Sequence, residues 1–403
     1  MIITKVSCDN MYMFNNFSLD LTYQKKRKHH LSENDVLFDG SKIKVRKNVI
    51  IMGGNASGKT TFGKLLRFIS NYIFRGQVVD DFFHLSDIPY KKDEISWFSL
   101  EFVIDSTAYL LEVSFRGNSL INETLSSCKI YRSHNIKKMR ENLEKADAIS
   151  QYNNTLKKET KMLSDNLVSY AFLVNVSSES EYIKSEIKYF FSISQRNNDT
   201  LGQYIDIHAL NDIHALNDIL PKIDNTVRAV KSMYVDNKST TTYQIIFNNK
   251  ENLVVPKGDI ESCKDRLSHG TFEAIEFLKL LTFMKNNPGA MIYVDEMLAH
   301  MHSELEAYLI RKAILIKPVQ SQIFISTHNI DIFQLNVPIN VFVFFKRNSN
   351  GYNDAMYPSD ILNKNDRNLT QYYVNDYFGV MPDYSILDQS FEEYFFEDTG
   401  ELK

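Results

Sequence analysis

The stretch Gly53-Gly54-Asn55-Ala56-Ser57-Gly58-Lys59-Thr60 follows the apolar run Val49-Ile50-Ile51-Met52 and precedes Thr61-Phe62-Gly63-Lys64-Leu65-Leu66-Arg67-Phe68, whose spacing predicts a helix. A strand that enters a glycine-rich turn and leaves it as a helix is a phosphate cradle. Backbone N–H groups of the turn point inward, and the helix adds its positive N-terminal dipole. Gly53 and Gly58 permit the tight backbone. Lys59 is long enough to reach β and γ phosphates, and the Thr60 hydroxyl is placed to ligate Mg²⁺. This feature commits the surrounding chain to an α/β architecture with at least one buried sheet.

Length and charge bound the remainder. At 403 residues with 43% hydrophobic content, the chain can bury a sizeable core. It contains no apolar run of about 18 residues and no secretory leader, so a cytoplasmic protein without membrane contact is expected. Cys8, Cys128 and Cys263 are widely spaced and odd in number, which fits reduced structural thiols better than a disulfide framework. A net charge of -4 gives no global attraction to nucleic acid. The basic run Lys25-Lys26-Arg27-Lys28-His29-His30, followed by Lys42, Lys44, Arg46 and Lys47, reads first as a solvated loop and second as a local phosphate-backbone patch.

Along the chain, Met1 to Leu21 reads as strands at a sheet edge, and residues 94–132 as an antiparallel meander that includes Trp97–Ile104 and Tyr109–Phe115. Residues 134–220 turn to Lys, Glu, Asn and Ser with helical spacing of Leu and Ile, which predicts a helical insertion. Within it Asp206-Ile207-His208-Ala209-Leu210-Asn211 recurs as residues 212–217. A period of six matches no solenoid and extends a helix. His208 and His214 would then stand roughly 600° apart around it, on different faces, which disfavours a metal site. Strands return after Pro221, at Thr242–Phe247 and Val254-Val255.

Three further motifs follow. Ala290-Met291-Ile292-Tyr293-Val294-Asp295-Glu296 is an apolar strand ending in two carboxylates. Asp295 would hold Mg²⁺ through water, and Glu296 would orient or deprotonate an attacking water. Gln322–Ser326 is a second apolar strand running into Thr327-His328-Asn329, which brings His328 to the same sheet edge to sense or stabilise a γ-phosphate. Upstream, Leu267-Ser268-His269-Gly270-Thr271 opens a helix and reads as an N-cap or as a second anion site.

Their order resembles that of ABC-type ATPases of the SMC/RecF/OLD class, over nearly the whole chain. The resemblance implies a P-loop NTPase head with a mixed sheet, an antiparallel β lobe and a helical insertion. Its parts would be an N-terminal half-head (1–133), the insertion (134–220) and a C-terminal half-head (221–403). It further implies ATP and Mg²⁺ as cofactors. Gly53, Asn55, Ser57, Gly58, Lys59, Thr60 and Thr61 would be nucleotide contacts, Thr60 and Asp295 metal ligands, and Glu296, His328 and Lys59 catalytic residues. In a head-to-tail dimer or larger homo-oligomer, Ser268 and Gly270 would reach the γ-phosphate in trans.

Compact antiphage-defence ATPases such as the PARIS ATPase subunit are similar at Ile2–Val6 with Phe14–Phe17, at Met301-His302-Ser303-Glu304-Leu305, and at Asn368–Pro382. Ser303 stands where that family has proline and Asn375 where it has glycine, and Gln77 is a weak candidate for the Q-loop. About 75 residues follow His328 without a nuclease-like acidic cluster. The resemblance therefore implies a sensor or scaffold with a separately encoded effector and a phage trigger protein as partners. The alternative is a RecF-like, ATP-gated DNA-binding repair head.

Overall fold

The computed structural model describes residues 1–23, 35–75, 88–154, 189–192, 212–235, 238–335, 337–362, 369–381, 384–392 and 394. The run Lys25–His30, Gln77 and the first copy of the duplication lie outside these residues.

The chain is a mixed α/β protein. One sheet is antiparallel throughout, in the order β2-β1-β4-β5-β6-β7. Its strands are β1 (Ile2–Asp9), β2 (Phe17–Asp20), β4 (Ser96–Ile104), β5 (Thr107–Arg116), β6 (Ser119–Lys129) and β7 (Ala148–Asn153). The expected meander is β4-β5-β6. A second sheet runs β15-β14-β3-β13-β12-β8, parallel except where β15 (Asn353–Met356) pairs with β14 (Phe342–Arg347). Its centre holds β3 (Asn48–Met52), β13 (Gln322–Ser326) and β12 (Met291–Asp295), with β8 (Tyr189–Ser192) at the edge. A small antiparallel sheet, β11-β10-β9, forms from Val227–Val235, Lys238–Phe247 and Asn252–Val255.

The period-2 alternation of the parallel strands gives this sheet a core on each face. Val49, Ile51, Tyr293, Phe324, Val343 and Phe345 face one core, shared with helix α1 (Lys59–Arg75) and the antiparallel sheet. Ile50, Met52, Ile292, Val294, Ile323 and Ile325 face the other. That second core is filled by α4 (His269–Asn286) and α5 (Ser303–Ile316). Helix α1 is thus enclosed between two sheets, and Phe62 on it meets Phe14, Phe17, Phe324 and Phe345. Fully buried Gln322 joins the sheets, accepting from Ile3 N at 2.9 Å and donating to Ile3 O and Arg46 O, both at 3.0 Å. The strand-1 irregularity at Thr4 falls beside it.

Of residues 134–220, expected to be helical, the described ones form α2 (Ile136–Glu144) and the start of α3 (Ile213–Ile223), but also β7 and β8. The two strands differ from expectation because each completes an existing sheet edge, where neighbour pairing outweighs local propensity. The second copy of the duplication begins α3. Its Asp212 is the N-cap and accepts from Ala215 N at 3.0 Å, and His214 is exposed. Cys8, Cys128 and Cys263 are free thiols. Among the described residues no helix is long and apolar enough to cross a membrane.

Candidate functional site

Three adjacent parallel strands, β3, β13 and β12, end at one sheet edge, and the register aligns Ile51 with Ser326 and Ser326 with Asp295. Side chains just beyond these positions therefore converge. Between β3 and α1 the loop takes left-handed backbone at Gly53 (φ 153°), Ala56 (φ 57°) and Gly58 (φ 103°). A Cβ at Gly53 would lie 2.1 Å from Phe345 O, and one at Gly58 would lie 2.4 Å from Asn353 Nδ2, so glycine is obligatory at both. Ser57 Oγ is buried and has no hydrogen-bond partner among the described residues. A polar atom left in that state is costly unless something it faces completes it. Asn55 is exposed at the loop crest and Thr61 half-buried on the first turn of α1.

Lys59, 5% exposed, donates from Nζ to Gly53 O at 3.1 Å and Gly54 O at 3.3 Å. Burial lowers its pKa, against the pull of Glu296 and Asp295. Its Nζ also lies 3.7 Å from Glu296 Oε1. His328 Nε2 is 2.8 Å from Lys59 Nζ and 2.9 Å from Glu296 Oε1. One ring nitrogen cannot accept from the first and donate to the second. The carboxylate, as the anion, takes the imidazole proton, and Lys59 keeps its two carbonyls. That hydrogen bond from His328 is the leading cause of a lowered Glu296 pKa, opposed by burial and aided by Lys59. Glu296 itself sits at φ 48°, its N–H donating to Ser326 O at 3.1 Å, so the chain turns sharply as it leaves β12.

Beside this trio Thr60 Oγ1 donates to Asp295 Oδ2 at 2.7 Å, and Ser326 Oγ donates to Asp295 Oδ1. Asp295 is 2% exposed. The Tyr293 hydroxyl donates to Lys59 O at 2.6 Å, pinning the first residue of α1 to β12. Sequence reasoning placed Tyr293 only in an apolar strand and did not single out Ser326. The signal for Tyr293 is Gly63, whose missing side chain leaves room for the ring: a Cβ there would lie 2.3 Å from it.

The C-terminal tail reaches the same loop. Gly54 N donates to Val380 O at 3.2 Å, while Asp376 Oδ1 accepts from Val380 N at 2.6 Å and Met381 N at 2.8 Å. Arg347 Nε donates to Ala56 O of the same loop at 3.2 Å.

Ser268 caps α4 by accepting from Thr271 N at 3.1 Å, and Thr271 Oγ1 donates to Asp224. Ser268 is exposed and Gly270 half-buried. Among the described residues, no hydrogen bond joins either to the loop at 53–60. Glu273, one turn further along α4, holds His300 through Nδ1 at 2.5 Å and its backbone N–H at 3.1 Å, and the His269 and His300 rings stack at 4.8 Å.

No protein-family model matches the chain, and no curated protein matches it. Among solved structures it is similar to an SMC head domain from Thermotoga maritima (11% identity, 89% of this chain and 99% of that chain, TM-score 0.39). It is likewise similar to the Smc head domain with an extended coiled coil bound to the C-terminal domain of ScpA derived from Pyrococcus furiosus (11% identity, 88% and 96%, TM-score 0.46). A third is an Smc head bound to the C-winged-helix domain of ScpA (11% identity, 88% and 97%, TM-score 0.44).

Proposed function

We propose that the chain is an ABC-type ATPase head that binds Mg-ATP at residues 53–61 and hydrolyses it. The observation that carries this reading is the meeting of Thr60 and Asp295 at 2.7 Å beside Lys59, Glu296 and His328 at the mouth of a loop that demands glycine. The donor set fits the cofactor: a hydroxyl and a buried carboxylate are hard oxygen ligands for Mg²⁺, and Ser57 Oγ, unpartnered among the described residues, is a buried polar atom that a phosphate oxygen would complete. When bound, Mg²⁺ neutralises phosphate charge and orients the terminal phosphate.

The protein's own groups supply the rest. Amides of the loop and Ser57 hold phosphate oxygens, and Lys59 exchanges the carbonyls of Gly53 and Gly54 for phosphate. Glu296, kept ionised by His328, takes a proton from the attacking water and aligns it. In this reading residues 1–133 and 221–403 build one head, with 134–220 inserted. Ser268 and Gly270, free of the chain's own loop, close the site of a second copy.

We further infer a role as sensor or scaffold in antiphage defence, with a separately encoded effector. It rests on the resemblance at Phe14–Phe17, Met301–Leu305 and the tail. The discriminating experiment uses Glu296→Gln, in which hydrolysis should fall by about 100- to 10,000-fold while ATP still binds. Native mass of this variant with and without Mg-ATP, co-expressed with the neighbouring gene product, should show an assembly containing that product. Dimers that ignore it and bind DNA in a salt-sensitive manner would favour the repair reading. Wild-type hydrolysis by Glu296→Gln would remove the catalytic assignment.

A further inference from the structure

Glu306 is a buried carboxylate on the first turns of α5, 7% exposed, that the reaction outlined above does not use. It lines a small cavity with Phe277, Leu298, Ile310 and Ile325, so its charged end is enclosed largely by apolar groups. Burial raises its pKa, and Glu273 and Glu296 push the same way. Such a group persists in a core only when its oxygens are matched by donors. Both donors flank His328. Thr327 Oγ1 donates to Glu306 Oε1 at 2.6 Å, and Asn329 Nδ2 donates to Glu306 Oε2 at 3.0 Å. Asn329 Nδ2 also reaches Ser303 O at 2.6 Å, on the same helix. Within the loop, Asn329 N donates to Thr327 Oγ1 at 2.9 Å, and Asp331 N to Asn329 Oδ1 at 2.9 Å.

The residues on either side of His328 are therefore bolted to α5, while the His328 ring, 41% exposed, has Glu296 and Lys59 as its polar neighbours. An imidazole this open has little packing to hold its rotamer, and the backbone on which it stands must do so. From these contacts we infer that Glu306 is a positioning residue for His328, fixing the loop 327–329 so that the ring meets Glu296. This rests on the reading that Glu296 and His328 serve ATP hydrolysis. It gives α5 a task beyond covering the sheet. The helix starts just after His300, which Glu273 of α4 holds, so the clamp lies on a continuous path from the helix opened by Ser268 to the ring of His328.

The test compares Glu306→Ala, Glu306→Gln and Thr327→Val in the full chain. With Glu306→Ala, kcat for ATP should fall by about 10- to 100-fold, the scale of a misplaced catalytic group, with ATP affinity within about threefold of wild type. The Gln variant retains one acceptor and should recover most of the rate. Thr327→Val, which removes one of the two donors at nearly constant volume, should fall between them. The independent readout is the His328 ring resonance in histidine-labelled protein without nucleotide, assigned with His328→Gln. It should shift in Glu306→Ala and Thr327→Val and return in Glu306→Gln. A resonance unmoved by both Ala and Val variants overturns the inference, as does equal loss of rate in the Ala and Gln variants with the ring unmoved. Should wild-type protein hydrolyse no ATP, the ATPase reading falls alone, and the ring resonance still decides whether Glu306 sets His328.

Discussion

Arg140 on α2 carries a test of how the 134–220 region is fastened to the β lobe. Its guanidinium donates to both oxygens of Asp20, at 2.8 and 3.1 Å, and to both oxygens of Glu101, at 3.0 Å or a little more. Asp20 closes β2 and Glu101 lies in β4, so one side chain ties a helix to two strands. The side chains are 24%, 18% and 7% exposed for Arg140, Asp20 and Glu101, which places the cluster well inside the surface. Burial alone would raise the Asp20 pKa, but hydrogen bonds from Arg140 and Thr22 outweigh it and bring it down from 3.8 to about 2.

That lowering corresponds to about 2.5 kcal/mol at neutral pH, of which Thr22 accounts for part. Among the described residues, Arg140→Ala also leaves Glu101 with only Thr4 Oγ1 as a side-chain donor, at 2.8 Å. The combined loss is about 3 kcal/mol, near the lower end for breaking a buried ion pair by removing one partner. The sign with pH follows from the direction of the shift. A carboxylate whose folded pKa is depressed contributes stability fully above its unfolded value and loses it as pH falls through the folded one. Urea unfolding of wild type, Arg140→Ala, Asp20→Asn and the double variant should therefore give a coupling of at least about 1 kcal/mol at pH 7 that shrinks by pH 3. A coupling below about 0.5 kcal/mol, or one equal at both pH values, would refute the argument.

Other outcomes follow from the site and its supports. Lys59→Ala should weaken ATP binding by about 10- to 100-fold, the worth of a charge-assisted hydrogen bond, measured by calorimetry with Glu296→Gln as background. Gly63→Ala would drive a methyl to 2.3 Å from the Tyr293 ring. It should cost about 1–3 kcal/mol in chemical unfolding and weaken nucleotide binding too, because that ring anchors Lys59 O. Lys317 is 9% exposed, and burial, with Lys47 nearby, lowers its pKa from 10.5 to about 8. Between those values the unfolded chain binds more protons, so stability should rise with pH by up to about 3 kcal/mol; Lys317→Met should flatten that rise in urea titrations at pH 8 and 10.

The loop at 53–60 was legible because its requirement is local: strand, glycines and helix start are consecutive, and the backbone angles that demand glycine belong to the glycines themselves. The acidic strand was legible for a related reason, since five buried residues ending in Asp295-Glu296 carry their own context. What could not be read was set by partners far away in sequence. Tyr189–Ser192 looks like part of a polar insertion and becomes a strand only because β12 offers it an edge. Gln322 reads as the first residue of an apolar strand and turns out to be the bridge to Ile3. Glu306 has the spacing of any acidic residue in a first helical turn, where the dipole favours it. Only the fold puts Thr327 and Asn329 against it.

The two kinds of information meet at the sheet edge. Because β3, β13 and β12 are parallel and paired in register, three separate sequence motifs arrive at one level without any of them specifying the others. A one-residue slip of β13 would turn Ser326 away from Asp295 and carry His328 to the opposite face. Register is held by the two buried faces and by Gln322 at the far end of the same strand, more than 10 Å from the site by the rise per residue. Glu296 then departs from the strand at φ 48°, a conformation that strand sterics discourage and that its N–H bond to Ser326 O retains. The geometry of the candidate site is thus a product of the interior: packing fixes the register, the register aligns the tips, and one strained residue at a tip swings its carboxylate to His328 and Lys59.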